Sequence, residues 1–309
     1  MGEYIINSRK IKLLIKIGRL RFLAGGFFLY TLGVFLAVSS GVDFSFTYFF
    51  IGYVIMFPAH LSLSYSNNYF DISVDKFNKP SVFSGGTKIL IDNPELITLC
   101  KKIAIGLIIL SIMFATLFVI FFSYPLSYLA FIVFGALLGW FYSAPPLKLA
   151  YRGFGEIANM INMGLLMPGI GYWTMSGKMD IFFFVFAVPF FLYGLNFMII
   201  VETPDLEGDI KGDKNTLVTR IGRKKSYKLI LLSLLSASLY YLIIGYIGLF
   251  KSYFNYSVIY ALSLIPLIIA IYGWFKQPFT EKRALKISEN NMYALLIFII
   301  ITNIYLIVS

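Results

Sequence analysis

Residues 67–75 read Asn67-Asn68-Tyr69-Phe70-Asp71-Ile72-Ser73-Val74-Asp75 and close a long apolar segment. They set Asn67, Asp71 and Asp75 four residues apart, positions that share one face of a helix. An amide and two carboxylates thus converge where an apolar segment meets water. Like charges at this spacing cost roughly 0.2–0.5 kcal/mol, a cost that a cation between them removes. A second acidic group, Glu202, Asp205, Glu207 and Asp209, follows another apolar segment much later. Its Asp205 and Asp209 repeat the four-residue spacing.

Working outward, the chain of 309 residues is 59% hydrophobic and 13% charged, with a mean hydropathy of +0.81. A soluble domain carries about 25% charged residues. The chain therefore reads as an all-α integral membrane protein. Stretches of about 20 apolar residues are long enough to cross a bilayer. Nine are expected, near 20–40, 45–66, 97–122, 125–142, 154–175, 181–203, 228–249, 256–275 and 290–308. No Gly-, Ser- or Pro-rich run divides the chain, so one domain over 1–309 is expected. The apolar stretch behind the basic start is too long for a signal peptide. One cysteine, Cys100, excludes an internal disulfide.

Charge gives the orientation. All but Lys178 and Lys251 of the 26 Lys and Arg fall in the segments on one side of the nine expected spans. The positive-inside rule then puts the N-terminus and both acidic groups in the cytoplasm and the C-terminus outside. The net charge of +11 belongs to that face and suits anionic lipid. Nucleic-acid binding is not needed to explain it. Residues 9–21 alternate Lys/Arg with Ile/Leu, so 1–19 is expected as an interfacial basic helix. No targeting extension is visible, and a prokaryotic plasma membrane is the expected location.

Carboxylate oxygens suit Mg2+, which keeps several waters and is usually completed by substrate phosphates. Two acidic clusters suit Mg2+ ions around one diphosphate, a leaving group that departs only when its charge is stabilised.

Asn67-x3-Asp71-x3-Asp75 and Asp205-x3-Asp209, in a chain of nine expected spans, resemble the two signature motifs of the UbiA-type intramembrane prenyltransferases. The resemblance extends over essentially the whole chain. The segment from Tyr142 through Lys148, Tyr151 and Arg152 to Glu156 resembles the family's loop between helices 4 and 5. Phe83-Ser84-Gly85-Gly86-Thr87 resembles the glycine-containing loop of naphthoate-type members. The resemblance implies nine transmembrane helices around a central cavity, with cytoplasmic cap loops over 67–95 and 202–227. It implies Mg2+-dependent transfer of a polyprenyl group, geranylgeranyl or similar, from its diphosphate to an aromatic quinone-precursor acceptor. An allylic carbocation forms in the cavity while the tail lies in a tunnel open to membrane lipid.

Carried over residue by residue, Asn67, Asp71, Asp205 and Asp209 bind Mg2+-diphosphate. Asp75 joins them or orients them. Lys148 contacts the diphosphate and completes the catalytic set with the four aspartates. Glu202, on the same helical face as Asp205, is a further expected ligand. Pro204 is expected to break or kink its helix. Where hydroxybenzoate- and ether-lipid-forming members carry Arg-Pro, this chain has Lys79-Pro80. A lysine is a point charge without the bidentate geometry of arginine, which turns the reading toward a naphthoate-like acceptor.

Substrate contacts are also expected from Lys79, Tyr142, Arg152 and Lys214, and cavity lining from Asn159, Asn162 and Asn196, since polar groups inside membrane helices face the bundle or a cavity. His60, the only histidine, is expected to be a hydrogen-bonded interior residue. Glu156 is expected to stabilise the dipole of its own helix start. Other reactions of the same superfamily remain alternatives: ether-lipid assembly, porphyrin or carotenoid prenylation, terpene cyclisation. An ion-coupled transporter is a distant one, because the acids cluster at one membrane face instead of along a path.

Overall fold

The computed structural model describes residues 8–276 and 280–309, and residues 1–7 of the expected N-terminal helix lie outside them. Helix α1 (Ser8–Ile17) mixes basic and apolar residues and buries Ile17. It is pinned to the bundle by Tyr65, whose hydroxyl donates to the Leu14 carbonyl at 3.0 Å. Arg19, in a left-handed conformation, turns the chain into α2 (Leu20–Ser39). There follow α3 (Phe46–Phe70), the single turn α4 (Ile72–Asp75), α5 (Ile89–Asp92), α6 (Ile97–Phe121) and α7 (Leu126–Ser143). Next come α8 (Gly155–Ile161) and α9 (Met167–Ser176), then the long α10 (Ile181–Lys211), α11 (Leu217–Ile247), α12 (Tyr256–Lys276) and α13 (Glu281–Val308). Among the described residues there is no strand.

Eight helices among the described residues are long and apolar enough to cross a membrane: α2, α3, α6, α7 and α10 to α13. This is an integral membrane protein. The expected span at 154–175 is not one α-helix. There α8, a π-helical stretch (Asn162–Leu166) and α9 succeed one another without a break.

Lipid tails are as apolar as leucine, so such helices associate through close packing and interhelical hydrogen bonds. Both are visible. Gly33 of α2 and Gly171 of α9 let the two backbones touch, since a Cβ on either would collide with a carbonyl of the other helix. Ser111 donates to the Ile55 carbonyl at 2.7 Å, and Asn303 to the Phe28 carbonyl at 2.9 Å. Bonds of this kind average about 0.6 kcal/mol in membranes. Much of the aromatic content fills the bundle, as where Phe190, Tyr193 and Phe298 pack together. Helices α2, α3, α7, α8–α9, α10 and α13 enclose a cavity, while α11 and α12 pack outside it against α10 and α13.

The segment 202–227, expected as a cap loop, is largely helical: α10 runs to Lys211 and α11 starts at Leu217. The expected break at Pro204 is absent, for α10 passes through both Pro189 and Pro204. A proline removes one backbone donor, and neighbouring groups take up the freed carbonyls inside a membrane bundle. Gly222, with φ of 74° and ψ of 164°, interrupts α11.

Candidate active site

Asp71 is where the first motif departs from its expected geometry. Helix α3 ends at Phe70, and Asp71 sits at its C-terminal cap with φ −93° and ψ 8° before α4 begins. Asn67, Asp71 and Asp75 therefore do not share one unbroken helical face. Instead the loop after α4 returns across the site. Its Gly86, at φ +64°, lies so close to Asp75 that a Cβ there would collide with the carboxylate. Its Gly85 donates a backbone N–H to Asp205 at 2.8 Å. Asn78 donates its amide to Asp209 at 2.9 Å. Two segments 130 residues apart in sequence, roughly speaking, are thus stitched together by the loop that follows the first of them.

Lys214, on the short connection between α10 and α11, stands among these acids. Its Nζ lies 3.8 Å from Asp71. Burial alone would lower its pKa, but Asp71 and Asp209 outweigh that and hold it well above the usual lysine value. Tyr151 donates its hydroxyl to the other oxygen of Asp71 at 2.8 Å. Its own ionisation is pushed up by burial and by Asp71. Asn67 accepts from Ser143 at 3.2 Å. Asp75 is buried, and burial followed by the charge of Asp71 raises its pKa to about 7.

The expected substrate residues divide sharply. Tyr142, Asn159, Glu202 and Lys214 line the cavity with the motif residues. Lys148 does not: it is exposed in a left-handed conformation, with its ammonium 5.4 Å from the ring centre of Tyr151. Lys79 is an exposed residue paired with Glu281 at 3.0 Å. Arg152 is exposed, and its carbonyl accepts from Arg220. Asn196 is buried in α10 but does not border the cavity. Lysine and arginine stems are long, and the local backbone decides where their heads lie; spacing from a motif does not. Glu156 stands in the first turn of α8, as expected, and its carboxylate also accepts the Leu217 N–H and caps α11. Residues that sequence reasoning passed over are Tyr151, Asn78 and Arg19. Tyr151 lay in the quoted loop segment, but nothing in its spacing singled it out. Arg19 lines the cavity mouth, lies over the Phe22 ring and leaves one Nη without a partner.

The cavity has a volume of about 310 Å3. Its mouth is the acid layer, and its floor is apolar, formed by Leu29, Ile55, Ile132 and Ile170. Among the described residues no three carboxylate, imidazole or thiol groups are set to enclose a metal by themselves. The site is nevertheless short of positive charge. Asp71, Asp75, Glu202, Asp205 and Asp209 line it against Arg19, Arg21 and Lys214, and one Glu202 oxygen has no partner. Such an oxygen-only set fits a hard divalent cation that takes its remaining ligands from water or phosphate.

Comparison with known proteins decides the family. A family model described as the UbiA prenyltransferase family matches residues 27–297. The chain belongs to this family. Among relatives of this UbiA-family chain, a 1,4-dihydroxy-2-naphthoate octaprenyltransferase of Haemophilus influenzae is 32% identical over 152 residues, covering 48% of each chain. A UbiA prenyltransferase domain-containing protein 1 of Dictyostelium discoideum is 27% identical over 156 residues, covering 48% of this chain and 45% of its own. The matched segments span about half the length of these curated relatives. Among solved structures, a UbiA homolog from Archaeoglobus fulgidus bound to DMAPP and Mg2+ superposes with a TM-score of 0.66 at 14% identity, covering 93% of this chain and 99% of that one. An apo UbiA homolog from Aeropyrum pernix K1 gives 0.69 at 14% identity over 91% and 98%. At such identities the structural likeness concerns the fold.

Proposed function

We propose that this UbiA-family protein is an intramembrane enzyme that transfers a polyprenyl group from an allylic polyprenyl diphosphate to an aromatic quinone precursor, a naphthoate-like acid. The observation that carries the reading is the meeting of both acidic motifs around Lys214 at the mouth of a cavity with an apolar floor. The matches to naphthoate prenyltransferases support the acceptor class. Asp71, Asp75, Asp205 and Asp209, with Asn67 and Glu202, would hold Mg2+. When bound, Mg2+ supplies charge neutralisation to the diphosphate oxygens. The protein's own groups do the rest. Lys214 faces the departing diphosphate and favours the charge that builds on it as the allylic C–O bond breaks. Tyr151 holds Asp71 by one oxygen, and Asn78 and Gly85 hold Asp209 and Asp205. The apolar walls keep water from the allylic cation until a ring carbon of the acceptor forms the new C–C bond. In a naphthoate the carboxylate on that carbon leaves as CO2. The diphosphate end faces the cytoplasm of a prokaryotic plasma membrane in this reading, with the C-terminus outside.

The test uses purified protein in detergent with labelled geranylgeranyl diphosphate and Mg2+. Acceptors are 1,4-dihydroxy-2-naphthoate, 4-hydroxybenzoate, geranylgeranylglyceryl phosphate or none. A prenylated naphthalene product that disappears with EDTA or with Asp71→Asn is expected. A hydrocarbon or alcohol formed without acceptor would point to a cyclase or hydrolase. Absence of diphosphate release with every acceptor overturns the transferase reading.

A further inference from the structure

Two polar side chains stand alone in the middle of the cavity, and the reaction outlined above gives neither a task. His60 projects from α3 and Asn162 from the start of the π-helical stretch between α8 and α9; both line the cavity. Neither side chain has a hydrogen-bond partner among the described residues. The expectation that His60 is satisfied inside the bundle is therefore overturned. Room for its imidazole is made by Gly26 of α2, where any Cβ would collide with the ring. The cavity-lining neighbours on the same segments are mostly apolar, Met56, Ala59 and Leu63 beside His60, Met163 and Leu166 beside Asn162; of the polar ones nearby, Ser64 and Asn159, Asn159 is already bonded to the Gly194 carbonyl. A polar group without a partner in such surroundings is costly, and π-helical turns recur at functional sites because they re-aim side chains.

Depth narrows what these groups can meet. His60 lies seven residues before Asn67, and Asn162 six residues after Glu156. At 1.5 Å per residue each is on the order of 10 Å further into the bundle than the acid layer. A diphosphate held by the aspartates does not reach that level, and a prenyl tail carries nothing to hydrogen-bond. A hydroxylated ring that presents its reacting carbon to the acid layer does carry polar groups inward. We propose that His60 and Asn162 form the acceptor-recognition pocket, each hydrogen-bonding one hydroxyl of the aromatic acceptor. The assignment rests on the transferase reading and adds to it the feature of the acceptor that is read: its hydroxyls.

The test compares Michaelis constants in the full-length protein for both substrates. His60→Phe keeps a planar ring without a hydrogen-bonding nitrogen, and is expected to raise the acceptor KM about tenfold while the prenyl diphosphate KM stays within about twofold. His60→Gln, which restores a polar end, is expected to recover most of that loss. Asn162→Leu should behave like His60→Phe. Naphthoates lacking one hydroxyl supply a readout that a purely structural role would not move. As competitive inhibitors of the dihydroxy acceptor, each should bind wild type about tenfold more weakly than the dihydroxy acceptor, and each variant should become indifferent in this inhibition constant to one hydroxyl. If a variant does not fold, the deoxy naphthoates on wild type still decide: indifference of the wild type to both hydroxyls overturns the proposal. So does an equal rise of both Michaelis constants, or full retention of hydroxyl sensitivity in both variants. Wild-type turnover with these negative results leaves the transferase reading standing; no wild-type turnover with any acceptor removes both.

Discussion

In the first acidic motif the helix stops, and in the second it continues. Asn67 lies in the last turn of α3, Asp71 at its cap and Asp75 at the end of a one-turn helix. Asp205 and Asp209 stay on the unbroken rod of α10, in spite of Pro204. The same four-residue spacing therefore has two structural meanings. On α10 it aligns two carboxylates on one face. After Phe70 it turns Asp75 toward a returning loop, and that loop supplies Asn78 and Gly85 to the second motif. One motif lies on a continuous helix and the other spans a helix end, and the loop after the latter bonds to both aspartates of the former.

The largest expected effect treats the motifs alike. Asp71→Asn and Asp209→Asn should each reduce kcat on the order of a thousandfold, as loss of preorganised charge at a leaving group does. A much smaller effect at either one, in single-turnover assays, would mean that the two motifs do not share one diphosphate. Next, the two candidate lysines can be set against each other. Lys214→Met should cost about a hundredfold in kcat/KM, and Lys148→Met less than about threefold, because only the former stands among the acids. The reverse order would show that the loop carrying Lys148 closes on substrate.

Glycine substitutions separate loop from rod. Gly86→Ala meets both a left-handed φ and the Asp75 carboxylate, so about 1–3 kcal/mol of stability should go with the activity. Gly208→Ala leaves the backbone of α10 unstrained but displaces Asn78 from Asp209. Activity should fall about tenfold there with a smaller change in thermal stability. Equal melting temperatures for the two variants would contradict the distinction. The smallest effect is expected from Tyr151→Phe, which removes one hydrogen bond to Asp71 and should lower kcat about fivefold without altering folding.

Much of this was legible in the residues. Apolar runs marked the bundle because each backbone polar group in lipid must be satisfied within its own segment. The paired aspartates marked a candidate site because the same i, i+4 pairing recurs just past two separate apolar segments. What the residues did not reveal has a common cause. Lys79 turns outward to Glu281, and Lys148 lies on a left-handed turn at the surface. Lys214 reaches Asp71 from a connection that looked like any other basic loop. Tyr151, in a short 3-10 turn, finds Asp71 across the fold. The directions of long side chains depend on backbone turns of a few residues, and no periodicity records those.

Sequence alone determined that this chain is a helical membrane protein with two acidic motifs at the ends of apolar segments, since hydropathy and i, i+4 spacing act locally along the chain. Only the tertiary structure decided which cation stands between the motifs, which loop ties them together, and that His60 and Asn162 face a cavity without partners. Those are contacts between segments far apart in sequence, and their energies exist only once the bundle has closed.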